Sequence, residues 1–230
     1  MENLKKLIIF FILTFKTFAY MQVAPVIFDK RIDKEGAAQE FYITNPTAKE
    51  VGYRLYKEKS DNGLDMTPYM EFYPKSLKLK PGQSEKVRVY IEAPKEAKQG
   101  EYTAIMGIKE INIPGIEKKG NGSVIIYTDL KLELAGYVGD LKPKLQIDDL
   151  ELKNNELSFK ISNIGEIRTK VEAYLESDNL KEAKYLDSFR LLKGYKNTFN
   201  QKLDIDNLRN PRLVITDMEG IKILEKGIGK

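Results

Sequence analysis

From Glu40 onward the chain reads as short apolar-alternating runs cut by turns, and no stretch carries a convincing helical period. Glu40-Phe41-Tyr42-Ile43-Thr44 is β-rich and ends at the turn Asn45-Pro46. Val51, Tyr53 and Leu55 then alternate with Gly52, Arg54 and Tyr56. Leu77 and Leu79 lead into Lys80-Pro81-Gly82-Gln83, and Lys86 to Ile91 follows. Tyr102 to Ile111 and Val124 to Leu134 are two longer runs. In the second, Val124, Ile126 and Thr128 point one way and Ile125, Tyr127 and Asp129 the other. The best helical candidate, Leu180 to Phe189, is short.

A boundary falls where Gly136, Gly139 and Pro143 cluster with charge between them, and beyond it the pattern restarts. Phe41-Tyr42-Ile43-Thr44-Asn45 is echoed by Phe159-Lys160-Ile161-Ser162-Asn163. Leu79-Lys80-Pro81-Gly82 is echoed by Leu191-Leu192-Lys193-Gly194. The same order at similar spacing implies two domains of one type. The expectation is an all-β protein of two immunoglobulin-like β-sandwiches, residues 20–138 and 139–230.

Residues 1–19 are set apart as a secretory signal peptide. Lys5 and Lys6 precede the apolar run Leu7 to Phe15, and Thr17-Phe18-Ala19 supplies a cleavage site. The run is shorter than the ~20 residues a membrane-spanning helix needs, and no later segment reaches that length. Export implies the periplasm, with no membrane span after cleavage. The net charge of +4 falls to +2 once Lys5, Lys6, Lys16 and Glu2 are removed. Both signs are interspersed, so no nucleic-acid footprint stands out.

The chain has no Cys, no His and no Trp. Each sandwich must therefore rest on its packed core without a disulfide. The commonest general base and transition-metal ligand are missing, and an enzyme is not expected. Asp61-Asn62-Gly63-Leu64-Asp65 and Asp204-Ile205-Asp206-Asn207 offer oxygen ligands but lack the spacing of a calcium loop, so they read as turns. Asp148 and Asp149 are adjacent on a strand and point to opposite faces. No metal or cofactor is expected. Tyr42, Tyr53 and Tyr56 are candidates for an aromatic sugar-binding face, which core packing explains equally well. Val124 to Leu134 is either an interior strand or an edge that offers its backbone to another chain.

Three stretches carry a family resemblance. They are Pro74-Lys75-Ser76-Leu77-Lys78-Leu79-Lys80-Pro81-Gly82-Gln83-Ser84-Glu85-Lys86-Val87-Arg88, then Gly100 to Ile111, then Val124 to Leu132 after a short loop. The chain resembles the periplasmic pilus-assembly chaperones of the PapD type, of the short-loop subclass. The resemblance implies two sandwiches arranged as an L, with pilin-like subunits as clients and an outer-membrane usher as a further partner. It implies that the strand bearing Val124, Ile126 and Thr128 is lent to a subunit. Lys131 would hold the subunit's C-terminal carboxylate in a cleft between the domains, with Arg31 as its candidate companion. A second register puts Val26-Ile27-Phe28-Asp29 on the first strand, and then no arginine falls at the anchor. Arg88, Glu101 and Asp217 would form a salt-bridge set fixing the angle between the domains. The rival expectation is a structural or adhesive two-domain envelope protein without a client.

Overall fold

The computed structural model describes residues 21–111, 127–205 and 207–229. The chain divides into two compact units. The first comprises Met1–Ala97 and Tyr102–Val138, and the second Lys98–Glu101 and Gly139–Lys230. Among the described residues no helix is long and apolar enough to cross a membrane.

The first unit contains β1 (Gln22–Ala24), β2 (Asp29–Arg31), β3 (Ala37–Thr44), β4 (Val51–Lys59), β5 (Leu64–Asp65), β6 (Met70–Tyr73), β7 (Ser76–Leu79), β8 (Ser84–Ile91), nearly all of β9 (Gly100–Ile111), and β10 (Asp129–Val138). Two sheets form, one in the order β1-β3-β8-β6 and the other β2-β10-β9-β4-β7, with β5 beside β9. Alternation dictates their inner faces. Phe41, Ile43, Val87, Val89, Ile91 and Met70 come from one sheet, and Tyr53, Leu55, Leu79, Ala104, Met106, Ile108 and Leu134 from the other. They form one buried cluster. The first strand region serves both sheets. β1 pairs antiparallel with β3, the chain then crosses over, and β2 runs parallel to β10. Gln39 Nε2 donates to the Ile27 carbonyl and Lys30 Nζ to the Ala38 carbonyl, fastening the crossing.

The second unit has β11 (Leu145–Lys153), β12 (Glu156–Asn163) and β15 (Lys196–Lys202) in one sheet. β13 (Thr169–Glu176), β14 (Lys184–Leu191), β16 (Arg212–Thr216) and β17 (Lys222–Gly227) form the other, in the order β14-β13-β16-β17. Phe159 stacks on Phe199 with ring centres 4.8 Å apart, and Phe189 meets Phe159 edge-on at 6.0 Å. Offset and edge-on contacts of this kind are the favoured aromatic geometries. The short helical candidate is absent: Lys184 to Phe189 lies in β14. A β-bulge lies between Asp148 and Glu151, with Asp149 inside it at φ 50°, so simple alternation fails there.

The echoed segments are one structural corner built twice. Asn45 is fully buried, and its Nδ2 donates to the carbonyls of Lys49 at 2.7 Å and Leu79 at 2.9 Å. Asn163, also fully buried, donates to Ile167 at 2.7 Å and Leu191 at 3.2 Å. Each Oδ1 accepts a backbone N–H two residues on, from Thr47 and from Gly165. Each backbone carbonyl accepts the N–H of a turn glycine, Gly82 or Gly194, at 2.8 Å. Those glycines sit at φ +72° and +74°, where a side chain is strained. A buried amide that satisfies backbone groups leaving two strands is the reason Asn, and not an apolar residue, closes each strand.

Candidate functional site

β10 is paired on both sides only near its end. β2 opposes Ala135, Gly136 and Tyr137 and no more. From Asp129 to Leu134 the strand has β9 on one flank, and no strand among the described residues lies on the other. Backbone groups alternate in direction along a strand. The Ala135 N–H donates to Phe28, on the β2 side, and the Thr128 carbonyl accepts from Glu110 of β9. The N–H and C=O groups of Asp129, Lys131 and Glu133 therefore point to the open flank. Before β2 the chain crosses from β1 on the other sheet, and Val26 and Ile27 on the way are exposed. An unpaired, partly apolar edge of this type is a template for a further strand.

The side chains of Asp129, Lys131 and Glu133 lie on the outer face and reach across β9 to β4. The Tyr56 hydroxyl donates to Asp129 Oδ1 at 2.8 Å. Lys131 Nζ donates to Glu58 Oε2 at 2.6 Å. Ser60 Oγ and Asn62 Nδ2 both donate to Glu133 Oε2, each at 2.5 Å. Gly107, opposite Tyr56 in register, lets the tyrosine cross, since any Cβ there would collide with its ring. Burial, followed by the hydrogen bond to Asp129, pushes the Tyr56 hydroxyl up to about 12. The hydrogen bond to Glu58 raises the Lys131 ammonium above the ordinary lysine range. The Lys131–Glu58 pair is close to half exposed on both sides.

Arg31 is not beside Lys131. It stands opposite Tyr137, six residues further along β10, which is roughly 20 Å at the rise of a strand. Its guanidinium instead grips Asp33 through two hydrogen bonds, at 2.6 and 3.0 Å. The pairing of β2 with β10 ends at Asp29 and Ala135, short of Lys131, so no arginine of the first strand is paired at its level. Val124 and Ile126 lie outside the described residues, as do residues 1–19. Thr128 is half buried just before β10. Its N–H reaches Glu110 Oε2 at 3.2 Å and its carbonyl takes the Glu110 N–H.

Of the suggested salt-bridge set, Glu101 is deeply buried, and its ionic partner is Arg168, a residue the sequence reading did not single out. Arg168 Nη2 and Nε both donate to Glu101 Oε1, at 2.7 and 2.8 Å, and the Arg168 N–H donates to Oε2 at 2.7 Å. The two side chains are 3% and 4% exposed. Arg88 is exposed on β8 opposite Glu40. Asp217 organises its own turn, with Oδ1 accepting the N–H groups of Glu219 and Ile221.

The tyrosines proposed for a sugar face do not share one. Tyr53 is fully buried, Tyr56 points outward on the same strand, and Tyr42 is on the other sheet. Asp65 accepts both the N–H and the hydroxyl of Thr67. Glu58 and Arg168 escaped the sequence because their roles depend on register across two strands or on distant segments. The outward alternation of Arg54, Tyr56 and Glu58 was the available hint for the former.

No family model matches the chain, and no curated protein matches it. Among solved structures, the class 5 fimbriae chaperone CfaA is similar at a TM-score of 0.50 and 13% identity, over 91% of this chain and 99% of that one. The SafB chaperone of Salmonella enterica, solved with the SafA pilin, gives a TM-score of 0.47 at 12% identity over 94% and 98%. The CsuC–CsuE chaperone–tip adhesin subunit complex of Acinetobacter baumannii gives 0.45 at 15% over 91% and 98%. The chain thus has the two-domain all-β fold of a fimbrial chaperone.

Proposed function

We propose that the protein is a periplasmic chaperone that binds pilus or fimbrial subunits, pairing a subunit strand with the open flank of β10 and anchoring the subunit's C-terminal carboxylate at Lys131. The observation that carries this reading is the outward-facing backbone of Asp129, Lys131 and Glu133 on a strand that no other strand among the described residues pairs on that side. The similarity of fold to a fimbriae chaperone supports it. The chemistry is association: main-chain hydrogen bonds supply affinity and neighbouring apolar side chains supply fit. A subunit with an uncovered apolar groove is kept from edge-to-edge aggregation while it is held. The act requires no nucleotide and no metal, and breaks no covalent bond.

The test is co-expression with the subunit encoded beside this gene, in an exporting host. A stable one-to-one complex, and loss of the subunit when the chaperone is omitted, are expected. A subunit that accumulates equally well alone overturns the proposal. Lys131→Ala should weaken capture strongly, and unchanged capture removes the anchor.

A further inference from the structure

Lys131 is at the open edge by its backbone but not by its charge. Glu58 is two strands away from β10, about 10 Å at the spacing of paired strands. To reach it, the lysine side chain leans over β9, where Ile105 stands opposite Glu58. The ammonium is therefore held away from the flank at which another chain would arrive. Its surroundings are acidic. Asp129 and Glu133 flank it on its own strand, each engaged by hydroxyl or amide donors from the β4 side, and Glu58 faces it. Glu58 and Asp129 are the charges that act on the ammonium, and both favour its charged form.

We propose that Glu58 is a specificity-determining residue for the carboxylate that Lys131 accepts, a step that rests on the binding reading above. Glu58 occupies the ammonium as a stand-in carboxylate. An incoming carboxylate replaces it one for one, so the exchange gains little at the charge itself. It proceeds only when the carboxylate terminates a strand that also pairs with Asp129, Lys131 and Glu133. The fitting ligand is a polypeptide end in extended conformation with a free terminal carboxylate, while isolated carboxylates are refused.

The experiment compares wild type, Glu58→Gln, Glu58→Asp and Lys131→Met. The probes are the neighbouring subunit, the same subunit extended by one C-terminal glycinamide, and sodium acetate as competitor. Glu58 is exposed, so the variants should fold, and thermal melting verifies it. Glu58→Gln should bind the natural subunit roughly two- to five-fold tighter, the size of a released surface ion pair. It should also become sensitive to acetate, and Glu58→Asp should restore refusal of acetate. The amide-capped subunit should bind wild type and Glu58→Gln alike. Equal binding of the natural subunit and equal indifference to acetate in wild type and Glu58→Gln overturn the role of Glu58 and leave the chaperone reading standing. Failure of every form to bind the subunit overturns the chaperone reading itself.

Discussion

The two sandwiches close on the same asparagine corner yet treat their exposed strand edges in opposite ways. In the second, β17 is a guarded edge. Its pairing with β16 skips from Leu224 to Lys222, leaving a bulge at Ile223. Lys222 is held by Glu225, and Lys226 Nζ donates to the Ile147 carbonyl. Bulges and lysines are the usual defences against unwanted strand addition. In the first, the outward side chains of β10 are drawn back across β9 and its open flank is left flat. The shared corner belongs to folding, and on the proposed reading the difference between these two edges lets β10, and not β17, receive a strand.

The largest expected effect lies in the second domain, which alone holds a buried ion pair of this kind among the described residues. Glu101→Gln should lower its stability by about 3–5 kcal/mol, because the Arg168 guanidinium is left buried without its anion. Hydrogen exchange resolved by domain measures this, and protection lost equally in both domains would refute the assignment. Next are the corners. Asn45→Ala and Asn163→Ala should each cost roughly 2–3 kcal/mol in their own domain, as two backbone carbonyls lose their donor. A difference of more than about 2 kcal/mol between the two would break the equivalence.

A test of the open flank follows. Asp129→Pro and Asp129→Ala both lose the Tyr56 contact, but only proline removes the outward N–H. Proline should weaken subunit capture about ten-fold beyond alanine, a change of ~1.4 kcal/mol. Matching affinities would exclude pairing at that residue. The smallest effect is set by pH. Tyr53 and Tyr56, both in the first domain, are pushed up to about 12, chiefly by burial. Their folded values stand above the ordinary value near 10, so their contribution is complete below pH 10 and fades as pH rises toward 12. The first domain should thus loosen ahead of the second in alkaline titration followed by tyrosinate absorbance and circular dichroism.

Much of the fold was legible in the residues. Alternation in Val51 to Tyr56 gave the inner face of β4, and the repeated Phe-to-Asn segments gave the two corners. Sheet order was harder, because nothing in Glu58 or Lys131 taken singly says that one strand, β9, and a half-buried isoleucine on it lie between them. Arg31 illustrates the same limit. Its type suits a carboxylate clamp, but the pairing of β2 with Ala135 to Tyr137 carries it far from Lys131. Glu101 was named through the family resemblance, with Arg88 and Asp217 as its expected partners, while Arg168, from a loop 67 residues on, depends on tertiary contact that no local pattern encodes.

Glu101 enters the chain well before Gly139, yet it completes the ionic heart of the second unit. A gene fragment that starts at Gly139 would encode a domain missing an acid its arginine requires. Cutting and pasting the second sandwich onto another partner would demand transplanting Lys98–Glu101 as well, so evolution cannot readily shuffle it as an independent cassette.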